Sequence, residues 1–280
     1  MSDKYSLTLG DVQETLLIPL HGRAVETGKK HPILRDPAAV EMVSAIDYDF
    51  TRFGRGTGVM SVYHALRTAT FDEYVRDFLA QHPAGTVVEI GAGLSTRYER
   101  LDNGEASWVD IDLPDAAEVR QMFFPDLPRK RTIGSSILDE HWIPAVTKSP
   151  GPYLFVAEGV LVYLRDPDVR RALHMITTNF PDCQVALDTY AHWVVGQSRR
   201  RGPLAATRAS LAWACDDPRD VEKWGLDLRL VGSRTLAVPP ERVRRRVPWQ
   251  IRAVLWLITV VSPKWAKGSR INLYRHDPGA

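Results

Sequence analysis

Two glycines directly after a predicted strand have the spacing of a ligand-binding turn. The apolar residues Thr86–Ile90 read as a strand, Gly91 and Gly93 follow it, and a helix is predicted to continue through Arg100. Glycine is needed where a turn is tight and a ligand must touch the backbone, because a Cβ atom would block both. In open α/β folds such a turn lies at the carboxyl end of a strand, where ligands bind.

A pair of acidic residues ends the next predicted strand, residues 106–111. Asp110 and Asp112 follow the glycines by about 20 positions, the spacing at which a carboxylate accepts hydrogen bonds from both hydroxyls of a ribose. The order strand, glycine turn, helix, strand and acid therefore predicts a site for the ribose of an adenosine.

The glycine turn distinguishes between two kinds of cofactor. A dinucleotide fingerprint needs a third small residue three places after the second glycine, and here Thr96 stands there beside Arg97. S-adenosylmethionine has no phosphate and carries positive charge, which suits the acids at or beside strand ends, Glu89, Asp112 and Glu158. The pattern favours methyl transfer, with a nicotinamide-dependent oxidoreductase or a non-catalytic binding module as alternatives.

Short strands alternate with helices from residue 86 onward. The predicted strands are residues 86–90, 106–111, 131–135, 153–157, 184–187, 228–231 and 270–274, and the clearest helices between them are residues 115–124 and 166–179. This alternation predicts a doubly wound α/β domain with a mainly parallel, Rossmann-like sheet over residues 85–280. If the glycine turn serves methyl transfer, we expect this domain to be of the class I methyltransferase kind. Residues 1–84 are predicted to form an amino-terminal helical extension or lid, with helices at 12–20, 37–46 and 59–79.

Composition excludes several other classes of protein. Lys and Arg number 36 against 34 Asp and Glu, so no basic face for nucleic acid is predicted. The two cysteines form no disulfide framework or zinc motif, and no metal site is predicted. The longest apolar run, residues 253–261, is shorter than the roughly 20 residues that cross a bilayer. We expect a cytoplasmic protein without stable membrane insertion, and a homo-oligomer stays open.

A series of segments resembles the leucine carboxyl methyltransferase family, in particular its bacterial branch of polyketide O-methyltransferases of the tetracenomycin type. The segments are residues 15–24 (TLLIPLHGRA), 31–40 (HPILRDPAAV), 46–50 (IDYDF), 67–72 (RTATFD), 109–114 (VDIDLP), 135–139 (SSILD) and 156–164 (VAEGVLVYL), together with the glycine turn. The resemblance covers roughly residues 12–195. It implies an O-methyltransferase that uses S-adenosylmethionine and acts on a small molecule, with a protein carboxyl terminus as the alternative acceptor.

The resemblance also implies roles for single residues around the cofactor. Arg67 would pair with the methionine carboxylate, and Glu158 would lie near the ammonium group. Gly91 and Gly93 would pass under the methionine, and Asp112 would hold the ribose in preference to Asp110. The adenine would be framed by two further residues, Ser136 and Ile137.

Residues after the fifth predicted strand suggest the acceptor side. Tyr190 and His192 are the candidate catalytic residues, His192 as the base that a hydroxyl acceptor would require. A carboxylate acceptor, with a pKa near 4, needs no base and is the favoured acceptor. It would need a cation, for which Arg23 and the run at residues 199–201 are candidates.

Overall fold

A seven-stranded sheet forms the centre of the protein. The computed structural model describes residues 4–7, 9–53, 58–198, 204, 207 and 209–279. The strands are β1 (Thr86–Ile90), β2 (Ser107–Asp112), β3 (Lys130–Gly134), β4 (Tyr153–Ala157), β5 (Gln184–Tyr190), β6 (Leu228–Thr235) and β7 (Ser269–His276). Their order is β3-β2-β1-β4-β5-β7-β6. β1 to β5 are parallel, and β7 is antiparallel to β5 and β6. The predicted doubly wound, mainly parallel fold is confirmed.

Helices surround the sheet, and short helical turns join several of the elements. The helices are α1 (Leu17–Thr27), α2 (Pro37–Ala45), α3 (Gly58–Gln81), α4 (Arg97–Leu101), α5 (Pro114–Phe123), α6 (Ile143–Val146), α7 (Asp166–Asn179), α8 (His192–Ser198), α9 (Glu241–Arg244), α10 (Trp249–Val261) and α11 (Pro263–Ala266). The 3-10 turns are Gln13–Leu16, Phe50–Phe53, Leu161–Tyr163 and Pro218–Trp224. The helix predicted at residues 12–20 is therefore divided, and its second part extends to Thr27.

Alternating side chains of the strands cover the two faces of the sheet. Val88 of β1 and Phe155 of β4 pack on the face covered by α7, whereas Val87 and Leu154 pack on the face covered by α3. Successive side chains of a strand point to opposite faces, so a strand buried on both sides is apolar throughout. The carboxyl ends of β1, β2, β4 and β5 consequently share one edge.

The amino-terminal helices are attached to this edge. Asp36 caps α2 by accepting a hydrogen bond from the Ala39 backbone N–H, as its place before Pro37 predicts. Arg23 of α1 pairs with Asp36 at 2.8 Å and donates to the carbonyl of Leu94 in the glycine turn at 2.6 Å. The long helix α3 packs directly on the sheet, so the amino-terminal segment and the sheet share one core. The predicted division into residues 1–84 and 85–280 stays a prediction.

Candidate active site

A cavity of about 1120 Å³ opens at the carboxyl ends of the parallel strands. Its walls come from α1, α3, the glycine turn, the ends of β2, β4 and β5, and α10. Pockets that bury one drug-sized ligand usually measure about 300–1,000 Å³. The cavity therefore has room for a cofactor and for a second molecule beside it.

The glycine turn forms the floor of the cavity. Gly91 has a φ of 60° and Gly93 a φ of 45°, in the left-handed region that favours glycine. A Cβ atom on Gly91 would collide with the side chain of Val160, and one on Gly93 would lie 3.2 Å from the Cβ of Leu16. The Gly91 N–H donates to the carbonyl of Ile111 at 2.7 Å. Both glycines are thus required by conformation, and Gly91 also by space.

Asp112 ends β2 with its carboxylate at the rim of the glycine turn. One oxygen accepts the Gly93 N–H at 2.6 Å, and the other accepts the Leu113 N–H at 2.8 Å. These two bonds fix the carboxylate in orientation and leave further lone pairs towards the cavity that it lines. Burial raises the pKa of Asp112, and the two N–H donors act in the opposite direction.

Asp110, the other acid of β2, lies behind the turn instead of in the cavity. It is fully buried and pairs with Arg120 of α5 at 2.7 Å. Arg120 also donates to the carbonyls of Gly93 and Ser95 at 2.9 and 2.8 Å. Asp110 therefore supports the turn from below through Arg120, and the structure does not bring it to the cavity surface.

Arg67 of α3 and Glu158 after β4 form a buried ion pair in the cavity wall. Arg67 Nε donates to Glu158 Oε1 at 3.0 Å, and the Thr68 hydroxyl donates to the same oxygen at 2.8 Å. Burial alone would raise the pKa of Glu158, but Arg67 and Arg97 outweigh it and hold this pKa at about 2. A guanidinium beside a carboxylate is complementary to an amino acid head group, which carries both an anion and a cation.

Arg97 was not predicted as a site residue. It opens α4, is almost fully buried, and reaches Asp72 at 3.0 Å and Glu89 at 3.0 Å as well as Glu158. The three carboxylates raise its pKa, although burial opposes them. Glu89, predicted beside the cofactor, thus lines the cavity as a partner of Arg97. Its acidic partners lie far apart in the sequence, so no local pattern indicated this residue.

Tyr190, predicted as catalytic, ends β5 within a hydrogen-bonded group. Its hydroxyl donates to Asp188 at 3.0 Å, lies 2.9 Å from the Tyr63 hydroxyl, and accepts from Arg67 at 3.4 Å. Burial first, and then the nearby Asp188, raise its pKa well above the usual value. The phenol therefore stays protonated at neutral pH and can act as a hydrogen-bond donor but not as a resting base.

The predicted adenine-binding residues lie together after β3. Ser136 is half-buried, Ile137 is buried, and both line the cavity on the side of Asp112. The Ser136 hydroxyl accepts the Leu138 N–H at 3.1 Å, and the neighbouring Ser135 N–H donates to the carbonyl of Asp112 at 2.7 Å. The loop therefore holds a polar and an apolar contact next to the predicted ribose site.

His192, the other predicted catalytic residue, does not lie in the site. Its side chain is 73% exposed and pairs with Asp216 at 2.8 Å on the surface. The reason is local: α8 begins at His192, so the ring turns outward while Trp193 and Val194 line the cavity. The prediction of His192 as a base near the acceptor is corrected accordingly. The predicted cationic run at residues 199–201 lies outside the described residues.

A histidine that the sequence did not single out lies in the wall of the cavity, with both ring nitrogens shielded from solvent. His64 of α3 lies one helical turn before Arg67, is buried, and finds no hydrogen-bond partner for Nδ1 or Nε2 among the described residues. Burial, followed by the positive charge of Arg67, lowers its pKa well below the usual value. The ring is therefore neutral at neutral pH, with one nitrogen as donor and the other as acceptor.

The chain has clear relatives among known proteins. Residues 17–177 match the family described as leucine carboxyl methyltransferase. Over 218 residues the chain is 34% identical to the tetracenomycin polyketide synthesis O-methyltransferase TcmP of Streptomyces glaucescens, covering 78% of this chain and 80% of that protein. Over 241 residues it is 28% identical to the S-adenosyl-L-methionine-dependent methyltransferase dpfgK of Gibberella zeae, covering 79% and 80%. The chain belongs to the leucine carboxyl methyltransferase family.

Solved structures agree on the fold. A Thermobifida fusca YX protein assigned as a methyltransferase has a TM-score of 0.57 at 16% identity, with 93% of this chain and 94% of that chain covered. A DUF574 family protein of Streptomyces avermitilis has a TM-score of 0.58 at 14% identity, with 92% and 97% covered. The family and the fold together make the chain an S-adenosylmethionine-dependent O-methyltransferase, which confirms the predicted activity and cofactor.

Proposed function

We propose that the protein transfers a methyl group from S-adenosylmethionine to a hydroxyl oxygen of a hydrophobic small molecule, such as a polyketide-like phenol. The observation that carries the choice of a hydroxyl is that each cationic residue lining the cavity in the described part of the chain is already paired with an acid. The likeness to TcmP, a polyketide synthesis O-methyltransferase, supports a polyketide-like small molecule as the acceptor.

The cofactor would lie along the glycine turn. The Arg67–Glu158 pair would receive the methionine head group, Arg67 at its carboxylate and Glu158 at its ammonium. Gly91 and Gly93 would pass under the chain of the methionine, and Asp112 would accept both ribose hydroxyls. The adenine would lie against the loop of Ser136 and Ile137. When bound, S-adenosylmethionine supplies a methyl group that its sulfonium charge has already activated.

The charges of the cavity favour a hydroxyl over a carboxylate acceptor. Each cationic lining residue that the structure describes already has an acidic partner, and these residues are Arg23, Lys29, Arg67 and Arg97. Arg67 is needed for the head group of the cofactor. A carboxylate acceptor would thus be buried without a free cation, which is costly, whereas a phenol is neutral and suits the apolar walls.

His64 would align the acceptor and receive its proton once the ring turns a nitrogen into the cavity, because both nitrogens are shielded in this structure. The acceptor hydroxyl would donate to the unprotonated nitrogen of the ring, which points one oxygen lone pair at the methyl group. As the carbon–oxygen bond forms and the sulfur–carbon bond breaks, the hydroxyl proton passes to His64. Burial and Arg67 together lower the pKa of His64 and outweigh the opposite effect of Glu158, so the ring is free to accept a proton but holds it weakly. The Tyr63 and Tyr190 hydroxyls, which lie 2.9 Å apart, would border the acceptor on its other side.

The test combines product chemistry with two histidine variants. Labelled S-adenosylmethionine would be supplied with a matched panel of phenols and aromatic acids, and mild base would separate esters from ethers. We expect base-stable ethers from phenols. His64→Ala should lower kcat about 10²–10⁴-fold with unchanged affinity for S-adenosylhomocysteine, as loss of a general base does.

His192→Ala is the control for His64→Ala, because it makes the same substitution at an exposed histidine. It should keep kcat within about tenfold, a change smaller than the loss of a base. Base-labile esters from the acids, together with a His64→Ala enzyme as active as the unaltered one, would overturn the hydroxyl acceptor and restore a carboxylate.

A further inference from the structure

The outer face of α10 and α11 is an unusually apolar surface. Trp249, Trp256 and Val261 are 68%, 65% and 72% exposed. The membrane face, as we name this surface, consists of the exposed apolar side chains Trp249, Ala253, Trp256, Leu257, Val260, Val261 and Trp265. The members within α10 recur at helical spacing and form one stripe. Contiguous exposed apolar patches of this kind mark sites of association.

Positive charge surrounds the membrane face. Residues 241–267 contain seven basic residues and a single acidic residue, although the whole chain carries a net charge of only +2. The acidic residue, Glu241, forms ion pairs with Arg244 and Arg245 at 2.5 and 3.1 Å. Arg246 and Arg252 are exposed beside the stripe. The surface is therefore apolar in its centre and cationic at its margin.

We propose that this face binds the surface of an anionic lipid bilayer. Tryptophan side chains favour the level of the lipid headgroups, and flanking Arg and Lys side chains are attracted by anionic headgroups. The three exposed tryptophans and the basic margin supply both contributions. Within the part of the chain that the structure describes, no helix is long and apolar enough to cross a membrane. The contact is therefore peripheral.

A second copy of the chain fits this face less well. In a twofold-symmetric dimer the same patch meets itself, so the arginines of one margin would approach those of the other. The single acid of the segment is already ion-paired. An anionic bilayer covers the apolar stripe and neutralises the margin at the same time.

The inner side of the same helix connects the membrane face to the site. Ile251, Leu255 and Ile258 alternate with the exposed stripe and line the cavity. A bilayer bound to the outside of α10 would lie one helix thickness from the acceptor space. This arrangement would let a hydrophobic acceptor pass from the lipid to the cavity. The lipid contact itself stands on exposure and charge and is independent of the acceptor proposed above.

Flotation with vesicles tests the proposal on the full chain. The protein would be mixed with vesicles of phosphatidylcholine alone or of phosphatidylcholine with phosphatidylglycerol. We expect binding to the anionic vesicles that weakens with added salt. The double variant Trp249→Ser/Trp256→Ser should reduce the bound fraction by about tenfold or more, and Arg246→Gln/Arg252→Gln should reduce it and weaken the salt dependence.

The control is Met122→Ser/Leu127→Ser, which removes two exposed apolar side chains near the opposite edge of the sheet. It should bind like the unaltered protein. Unchanged affinity for S-adenosylhomocysteine would verify that each variant is folded, since the altered residues do not line the cavity. Absence of vesicle binding would overturn the proposal. The proposal would also be overturned if the unaltered protein sedimented as a dimer, the tryptophan variant sedimented as a monomer, and neither bound vesicles. The face would then be a contact between two copies of the chain.

Discussion

Under the proposed function, the acidic side chains of β2 have two different tasks, one to bind the cofactor and the other to support the glycine turn. Asp110 and Asp112 point to the same face of the sheet because strand side chains repeat every two residues. Asp112 lies at the strand end, where the cavity begins, and Asp110 lies one step lower, against Arg120. We therefore expect the same residue type to serve binding at position 112 and stability at position 110.

Replacing Asp112 tests its part in binding. We expect Asp112→Ala to weaken S-adenosylhomocysteine by about 1.5–3 kcal/mol, because a charged acceptor for the ribose hydroxyls is lost. Calorimetric titration would measure this. An affinity equal to that of the unaltered protein, in a folded variant, would refute the contact.

Replacing Asp110 should act on stability instead. Asp110→Ala leaves the buried Arg120 guanidinium without its carboxylate, which typically costs about 3–5 kcal/mol. Urea unfolding would show a lower free energy of unfolding for Asp110→Ala than for Asp112→Ala. If the two variants were equally stable, the support that Asp110 gives through Arg120 would be negligible.

Single residues that a local strand and turn require could be predicted from the sequence, whereas ion pairs between distant residues could not. The glycines and Asp112 follow from local strand-turn patterns. Arg97 was missed because its three acidic partners come from distant elements. His64 was missed because a single histidine in an apolar helix gives no periodic signal. His192 was chosen for its nearness to β5 along the chain, which does not fix the direction of its ring.

Elements position these side chains through a few rigid junctions. The β1–α4 junction depends on Gly91, whose left-handed φ and contact with Val160 both exclude a Cβ atom. Gly104, in the turn before β2, has a φ of 84°, but no atom of the described residues lies within 4 Å of the place that a Cβ would take. The two glycines share the conformational requirement and differ in the space around them.

This difference makes a matched pair of variants. Gly104→Ala should cost about 1–2 kcal/mol of stability, as expected for an alanine in left-handed conformation. Gly91→Ala should cost more and should also abolish detectable binding of S-adenosylhomocysteine, because the turn must move away from Val160. Thermal unfolding and calorimetry would measure both, and equal losses in the two variants would contradict the role given to the turn.

Element positions were predictable where the hydrophobic pattern was long and unambiguous. β1, β4 and α7 begin and end at the predicted residues. β5 and β6 extend beyond their predictions, because pairing with β7 continues the ladder past the apolar core. α1 continues through Gly22, although glycine disfavours a helix interior. Glycine is needed at this position because a Cβ atom would collide with the ring of His64. Tertiary contacts of this kind are absent from a local pattern.

On the scale of the whole molecule, the residues of the candidate site lie together at one edge of the sheet. The parallel strands bring the glycine turn, Asp112, Glu158 and Tyr190 to a common edge, and α3 brings Arg67 and His64 from the other side. α10 closes the cavity with side chains that no sequence motif indicated. The alternation of strands and helices was sufficient to predict the edge, whereas the enclosure depends on how the later helices pack.

A crystal structure of the protein with S-adenosylhomocysteine tests the central claim most directly. We expect the amino acid head group between Arg67 and Glu158, the ribose hydroxyls on the carboxylate of Asp112, and the sulfur facing the part of the cavity that His64 lines. A head group bound away from the Arg67–Glu158 pair, or a ribose without contact to Asp112, would contradict it.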